Sequence, residues 1–385
     1  MILCTQMPTI TKHKALIEKI EKVRNSRVIV YVTGDRQPIT AQIGDDIVRP
    51  MYDHALALAK LRPRKKKVDL FIYSRGGNVS IPWRIVTMLR EHFDGFSVLV
   101  PYKCHSAATM VALGADEIVM GKKAELGPID PTLNKASMVE GSEDKPSRIS
   151  VEDVTSYISF IKDRANINDQ AALAQLVSLL ANHITPLSLG SVNREYSHIR
   201  LVARKLLGSH KTKIDDGRQK TIIEALTEKM YSHGHAIGRT EARELGLPIV
   251  KPNEKLEDAM WELFQAYEKD LKLNDHLDPE TVLGTMEEKT LNDEPIALIE
   301  STEKMHVFEV NAVFTKQRKV PSNPTFNLNV TVTPPQGVQP NSPILQQLAQ
   351  QLLQQLGAGI QQQLAAQSVL AGISIRMFGG KWKES

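Results

Sequence analysis

The sequence has only two cysteines, Cys4 and Cys104, far apart in 385 residues, which rules out a disulfide framework and a four-cysteine metal site. A reducing compartment fits that count. Long apolar runs are also missing: Phe96 to Pro101 is too short for a membrane helix of roughly 20 residues, and Ile344 to Leu356 is too rich in glutamine. No membrane span is expected. Met1 to His13 lacks a basic start followed by an apolar core and a small-residue cleavage site, so no secretory signal is read and the cytoplasm is the expected location. Charge of one sign is not in large excess, with 48 basic and 44 acidic residues giving +4. The densest basic run, Arg62, Arg64, Lys65, Lys66 and Lys67, has no interleaved aromatics and reads as a solvated loop, so no nucleic-acid partner is expected.

What remains is the composition of a folded chain, 42% hydrophobic and 24% charged, long enough for one domain of roughly 250 residues and something smaller. Arg27 to Thr33, Val68 to Tyr73, Phe96 to Pro101 and Glu117 to Met120 read as short buried strands. Between them Asp46 to Leu61, Ser80 to His92 and Ser106 to Leu113 carry apolar residues at helical spacing. Alternating strand and helix implies parallel strands with crossover helices, hence an α/β class.

From Ser150 to about Lys272 the pattern is helical, and this half is expected to cover one face or end of the sheet. The expected boundaries are a main domain over 1–272, a charged linker over 273–304 and a small appendage over 305–385. Met305 to Phe314 and Thr325 to Thr333 alternate as half-buried strands do. Val320 to Ile375 contains no Asp, Glu, Lys or Arg, and its Gln-rich part sets Leu345, Leu348, Leu352, Leu356 and Ile360 on one helical stripe. Such a stripe suits a helix packed on another subunit, the alternative being a disordered Gln-rich tail.

The chemistry is expected between Ser74 and Pro131. Ser-Arg-Gly-Gly-Asn (Ser74 to Asn78) ends one buried strand, Lys103-Cys104-His105-Ser106-Ala107-Ala108-Thr109 ends the next, and Leu126-Gly127-Pro128-Ile129-Asp130-Pro131 follows. All three stand beyond the carboxyl ends of strands, where parallel sheets carry their sites. A glycine pair exposes backbone N–H groups, which makes Gly77 a natural oxyanion donor. Ser106 opens a helix with the Ala107 N–H beside it, which suits a nucleophile and suits a helix cap equally. Asp130 is open between a triad acid and a turn former.

These pieces, with Ser232 to Leu247 (SHGHAIGRTEARELGL), resemble the peptidase superfamily of ClpP, signal peptide peptidase A and the NfeD proteins, most closely the serine dehydrogenase proteinase family, over about residues 25 to 250. The resemblance implies a ClpP/crotonase-like fold, Ser106 as nucleophile, and the N–H groups of Gly77 and Ala107 as oxyanion hole. ClpP-type enzymes place a His about 25 residues after the serine, and here Glu125 to Pro131 holds none. The order Ser, Asp, His of the serine dehydrogenase proteinases carries over instead to Ser106, Asp130 and His233. Gly234 stands where that family usually has an acidic residue. An imidazole can accept and return the serine proton near neutral pH, and a carboxylate fixes its tautomer.

Lys145 is an alternative base by analogy with the Ser-Lys pairs of NfeD and signal peptide peptidase A, and His235 is another. No metal or other cofactor is implied. The implied partners are a peptide or protein substrate and further copies of the chain. Two rival readings stand beside the peptidase: an acyl-CoA hydrolase using the same glycine N–H arrangement, and a scaffold with a weak site that assembles subunits.

Overall fold

The computed structural model describes residues 10–129, 151–181, 186–230, 232, 234–326 and 343–384. Asp130, Lys145 and His233 lie outside these, as do 327–333 of the second strand expected near the C-terminus.

The chain opens with helix α1 (Ile10–Arg24) and strand β1 (Arg27–Thr33), followed by α2 (Val48–Lys60), β2 (Lys67–Tyr73), α3 (Ile81–His92) and β3 (Gly95–Val100). Next come β4 (Lys103–Cys104), α4 (Ala107–Leu113), β5 (Glu117–Met120) and β6 (Glu125–Leu126). The helical half comprises α5 (Val151–Ser159), α6 (Gln170–Ala181), α7 (Pro186–Gly208), α8 (Asp216–Glu228), α9 (Arg239–Glu244) and α10 (Glu254–Asp270), interrupted by the short strands β7 (Ile237–Gly238) and β8 (Ile249–Val250). The C-terminal part holds α11 (Pro279–Leu283), β9 (Glu288–Glu300), β10 (Met305–Lys319), α12 (Pro343–Gln367) and β11 (Val369–Glu384).

Contacts divide the chain into one unit of Met1–His276, Asp293–Val310 and Gly379–Ser385 and a second of Leu277–Asn292 and Asn311–Phe378. The strands of the larger sheet are hydrogen-bonded in the order β11-β10-β9-β1-β2-β3-β5-β8. β1, β2, β3, β5 and β8 are parallel, as the strand and helix alternation requires. β9 then joins β1 antiparallel, with Val30 opposite Glu300 and Thr33 opposite Ala297. Within the stretch expected as a linker, 273–304, Glu288–Glu300 is thus a strand. The polar start of β9 hides a strand whose last residues, Ile296 to Glu300, are buried.

Two apolar layers flank the sheet, because alternate side chains of a strand point to opposite faces. Ile29, Tyr31, Leu70 and Ile72 join one core with Met51, Ile85, Val86, Leu206 and Leu226, from α2, α3, α7 and α8. Val28, Val30, Val32, Phe71 and Tyr73 join the other with Ile17 and Ile20 of α1 and Leu263, Phe264 and Tyr267 of α10. The helical half therefore covers both faces rather than one, since α10 returns to the side opposite α7 and α8. No described helix is long and apolar enough to cross a membrane. In the second unit, Leu348, Leu352, Leu356 and Ile360 of α12 are half-buried, while Leu353 is 69% exposed.

Candidate active site

A second, three-stranded sheet of order β4-β6-β7 holds the candidate site. Its strands are two residues long, and the backbone around them is fixed by a few buried hydroxyls. The Ser74 N–H donates to the Lys103 carbonyl and the His105 N–H to the Ser74 carbonyl, each at 3.0 Å, which ties the end of β2 to β4. Ser74 Oγ accepts from Thr33 Oγ1 at 2.8 Å and from the Gly76 N–H at 3.0 Å. Thr109 Oγ1 bridges α4 to the same sheet, lying 2.7 Å from the Cys104 carbonyl and 2.8 Å from that of Gly127.

The glycine pair is required by space and by conformation. Gly76 has φ +105°, and a Cβ there would stand 2.7 Å from Ser106 Cβ and 2.8 Å from the His105 carbonyl oxygen. The Ile43 N–H donates to the Gly76 carbonyl and the Asn78 N–H to the Ile43 carbonyl, both at 2.8 Å. In an extended segment successive residues direct their backbone groups to opposite sides, so the Gly77 N–H points away from Ile43. It has no acceptor among the described residues.

Ser106 has φ 49° and ψ −117°, a strained conformation for a residue with a side chain. Although it occupies the cap position of α4, its side chain makes no capping hydrogen bond. The cap role that the local sequence leaves open is thus not performed. The Ser106 carbonyl starts the helix by accepting from the Met110 N–H at 3.0 Å. Ala107 is buried, and its N–H is in the first turn, where helices have no internal acceptor.

Charged side chains gather on the neighbouring strand ends. His105 Nε2 is 3.1 Å from Glu125 Oε1. Burial lowers the His105 pKa, and the nearby charges of Arg75 and Lys103 push the same way against the pull of Glu125. Asp35 is mostly buried, which alone would raise its pKa, but hydrogen bonds from Arg75 and Lys103 prevail and hold it below the usual carboxylate range.

His235 follows a turn in which its N–H donates to the Ser232 carbonyl at 3.0 Å. Its Nε2 is 2.9 Å from Glu241 Oε1 on α9. β6 pairs Leu126 with Cys104 on one side and with Ile237 on the other.

Of the residues expected from sequence, the structure sets the turn of Gly76 and Gly77 against Ser106 and Ala107 and places His235 two residues before β7 of the same small sheet, with Asp130, Lys145 and His233 outside the described residues. Sequence reasoning missed Ser74, Thr109, Asp35, Glu125 and Glu241. The Asp and Glu residues among them carry no spacing signal, because their partners are 68, 20 and 6 positions away. No metal-binding group of three His, Cys, Asp or Glu occurs among the described residues.

Residues 2–185 match the family model of the ClpP-like SDH-type serine proteinases. That match includes Gly77 and Ser106 and ends before the SHGHAI segment. The uncharacterized proteins MJ1495 and MJ0137 of Methanocaldococcus jannaschii are 25% and 24% identical over 265 and 264 residues, 67% of this chain in both cases and 77% and 79% of theirs. Among solved structures, ClpP1 from Listeria monocytogenes matches with a TM-score of 0.33 and 13% identity, covering 61% of this chain and 98% of its own. A 1510-N membrane-bound stomatin-specific protease matches with a TM-score of 0.35 and 16% identity, covering 63% and 85%. Residues 2–185, the stretch that contains the glycine turn and Ser106, are thus similar to the ClpP-like SDH-type serine proteinases.

Proposed function

We propose that the protein is a serine peptidase that cleaves peptide bonds through an acyl-enzyme on Ser106. The observation that carries this reading is the strained Ser106 backbone with an uncapped, half-buried hydroxyl set against the glycine turn. Strain of this kind persists where the surroundings over-determine it, and functional sites are where it concentrates.

In the reaction Ser106 Oγ bonds to the substrate carbonyl carbon while an imidazole takes its proton. The carbonyl oxygen becomes an oxyanion that accepts from the N–H groups of Gly77 and Ala107. Collapse breaks the carbon–nitrogen bond, and the imidazole returns the proton to the leaving amine. Water then repeats the sequence on the acyl ester and frees Ser106.

His233 oriented by Asp130 is the base suggested by the family order. His235 is a second reading, favoured by its contact with Glu241, which supplies the orienting carboxylate that position 234 lacks. Lys145 remains a third source of a base.

A fluorophosphonate probe tests the nucleophile, because it reacts with a serine that has an assisting base and a formed oxyanion hole. Labelling at Ser106, abolished together with peptide hydrolysis in Ser106→Ala, is expected. Labelling that persists in that variant would move the active site elsewhere.

A further inference from the structure

We propose that Arg75, aimed by Asp35, reads a carboxylate on the substrate, so that the preferred peptide carries a Glu or Asp side chain, or a free C-terminal carboxylate, close to the bond cleaved. The inference rests on the peptidase reading above and names its substrate class.

Arg75 sits between Ser74, which holds the glycine turn through its Oγ, and Gly76, which packs against Ser106. Its backbone is therefore tied to the candidate site on both sides. The Arg75 Nε donates to Asp35 Oδ2 at 2.6 Å, while neither Nη group bonds to a described residue. A guanidinium is a rigid planar fork, so holding it by Nε fixes the direction of the remaining donors.

The burial of the two partners differs sharply: the Arg75 side chain is 56% exposed and that of Asp35 only 8%. Asp35 is also saturated from other directions, receiving the Tyr73 hydroxyl at 3.0 Å and Lys103 Nζ at 3.0 Å. One mostly buried carboxylate thus serves two cations, and the Nη groups of the arginine have no partner among the described residues. Asp35 keeps the Tyr73 hydroxyl and Lys103 as partners without Arg75, so the arginine is not needed to satisfy this carboxylate. Lys103 starts the strand that leads into Ser106. Arg75 and Lys103, which share Asp35, lie one and three residues along the chain from Gly76 and Ser106, the two residues in close approach at the candidate site, so an anion held by them would bind beside it.

The test uses internally quenched peptides that differ only by Glu, Gln or Lys at each position around the cleaved bond, each with a free and with an amidated C-terminus. For the wild type, kcat/KM should favour Glu over Gln by about tenfold or more at one position, or the free over the amidated terminus by a similar factor, as charge-assisted hydrogen bonds allow. The first outcome assigns the anion to a side chain and the second to the terminus. Arg75→Gln should bring that ratio close to one, and Arg75→Glu should invert it toward the Lys peptide. Taking ratios within each variant cancels any general loss of folding or activity.

Wild-type protein that takes the fluorophosphonate at Ser106 but turns over Glu, Gln, free and amidated peptides alike overturns this inference and leaves the peptidase reading intact. If no labelling or turnover occurs, the peptidase reading fails. Fluorescence anisotropy of the same peptides then decides the inference: tighter binding of carboxylate peptides, lost in Arg75→Gln, supports it, and equal binding refutes it.

Discussion

Replacing Gly76 by alanine puts the support of Ser106 to a direct test. The added methyl carbon would lie 2.7 Å from Ser106 Cβ, 2.8 Å from the His105 carbonyl oxygen and 3.0 Å from the Ala107 nitrogen. Two of those three atoms are backbone and cannot swing aside, so the 105–107 segment must retreat by roughly 0.7 Å to restore ordinary van der Waals contact. The φ of +105° adds strain for any residue with a Cβ, about 1–2 kcal/mol. A displacement near 1 Å at a reacting atom lowers rates by about 100-fold. The second-order rate of fluorophosphonate labelling is therefore expected to fall by about two orders of magnitude, with a modest drop in thermal midpoint. Gly208→Ala is the control, since a Cβ at Gly208 meets nothing within 4 Å. A Gly76→Ala protein that labels as fast as wild type would refute the reasoning, because Ser106 would then not depend on close approach of the turn.

Other expectations follow from the same contacts. If His235 is the base, Glu241→Gln should slow labelling by roughly tenfold or more through loss of its orienting partner, whereas loss in His233→Ala with Glu241→Gln unaffected assigns the base to His233. His13 is buried, which opposes its charging, but its contacts with Asp270 and Glu300 prevail and raise its pKa to about 9. Its contribution, on the order of 3 kcal/mol, is present below pH 6.5 and lost as pH climbs through 9. Urea midpoints across that range should fall in wild type and stay flatter in His13→Gln.

His54 behaves oppositely: burial, then the neighbouring His306 and Lys304 charges, lower its pKa to about 3. Stability should therefore drop by roughly 1.4 kcal/mol per pH unit as pH falls below 6.5, and an unchanged acid limb in His54→Gln would disprove it. For the uncharged helix α12, Leu352→Glu with Leu356→Glu should reduce the mass seen by light scattering if its stripe is buried against another copy, and an unchanged mass rejects that self-association.

Much of the α/β frame could be read from residue pattern, because β1 to β3 are continuous buried runs and the intervening helices keep a regular apolar face. β9 escaped because Glu288 to Pro295 is largely polar, and only its last residues pair with β1. Gly77, Ser106 and Ala107 were accessible as loop residues after strands. The two-residue strands β4, β6 and β7 are too short to show any period, and the contacts of Asp35, Glu125 and Glu241 arise only when those strands meet. The backbone strain at Ser106 is likewise a product of the assembled turn and has no signature in the residue type.

The small sheet also governs when a working site can exist. β4 and β6 are close in the chain and can pair early, but β7 must close a loop of about a hundred residues to add its edge. Loop closure is slow because its entropic cost precedes any reward from the contact made. During synthesis Ser106 therefore emerges well before the segment that contains His233 and His235, so under the proposed reading the serine waits for its base. If the chain is the peptidase proposed above, the order of its elements delays chemistry until the helical half has folded back, a kinetic safeguard against cutting peptide bonds, its own included, while still unfolded.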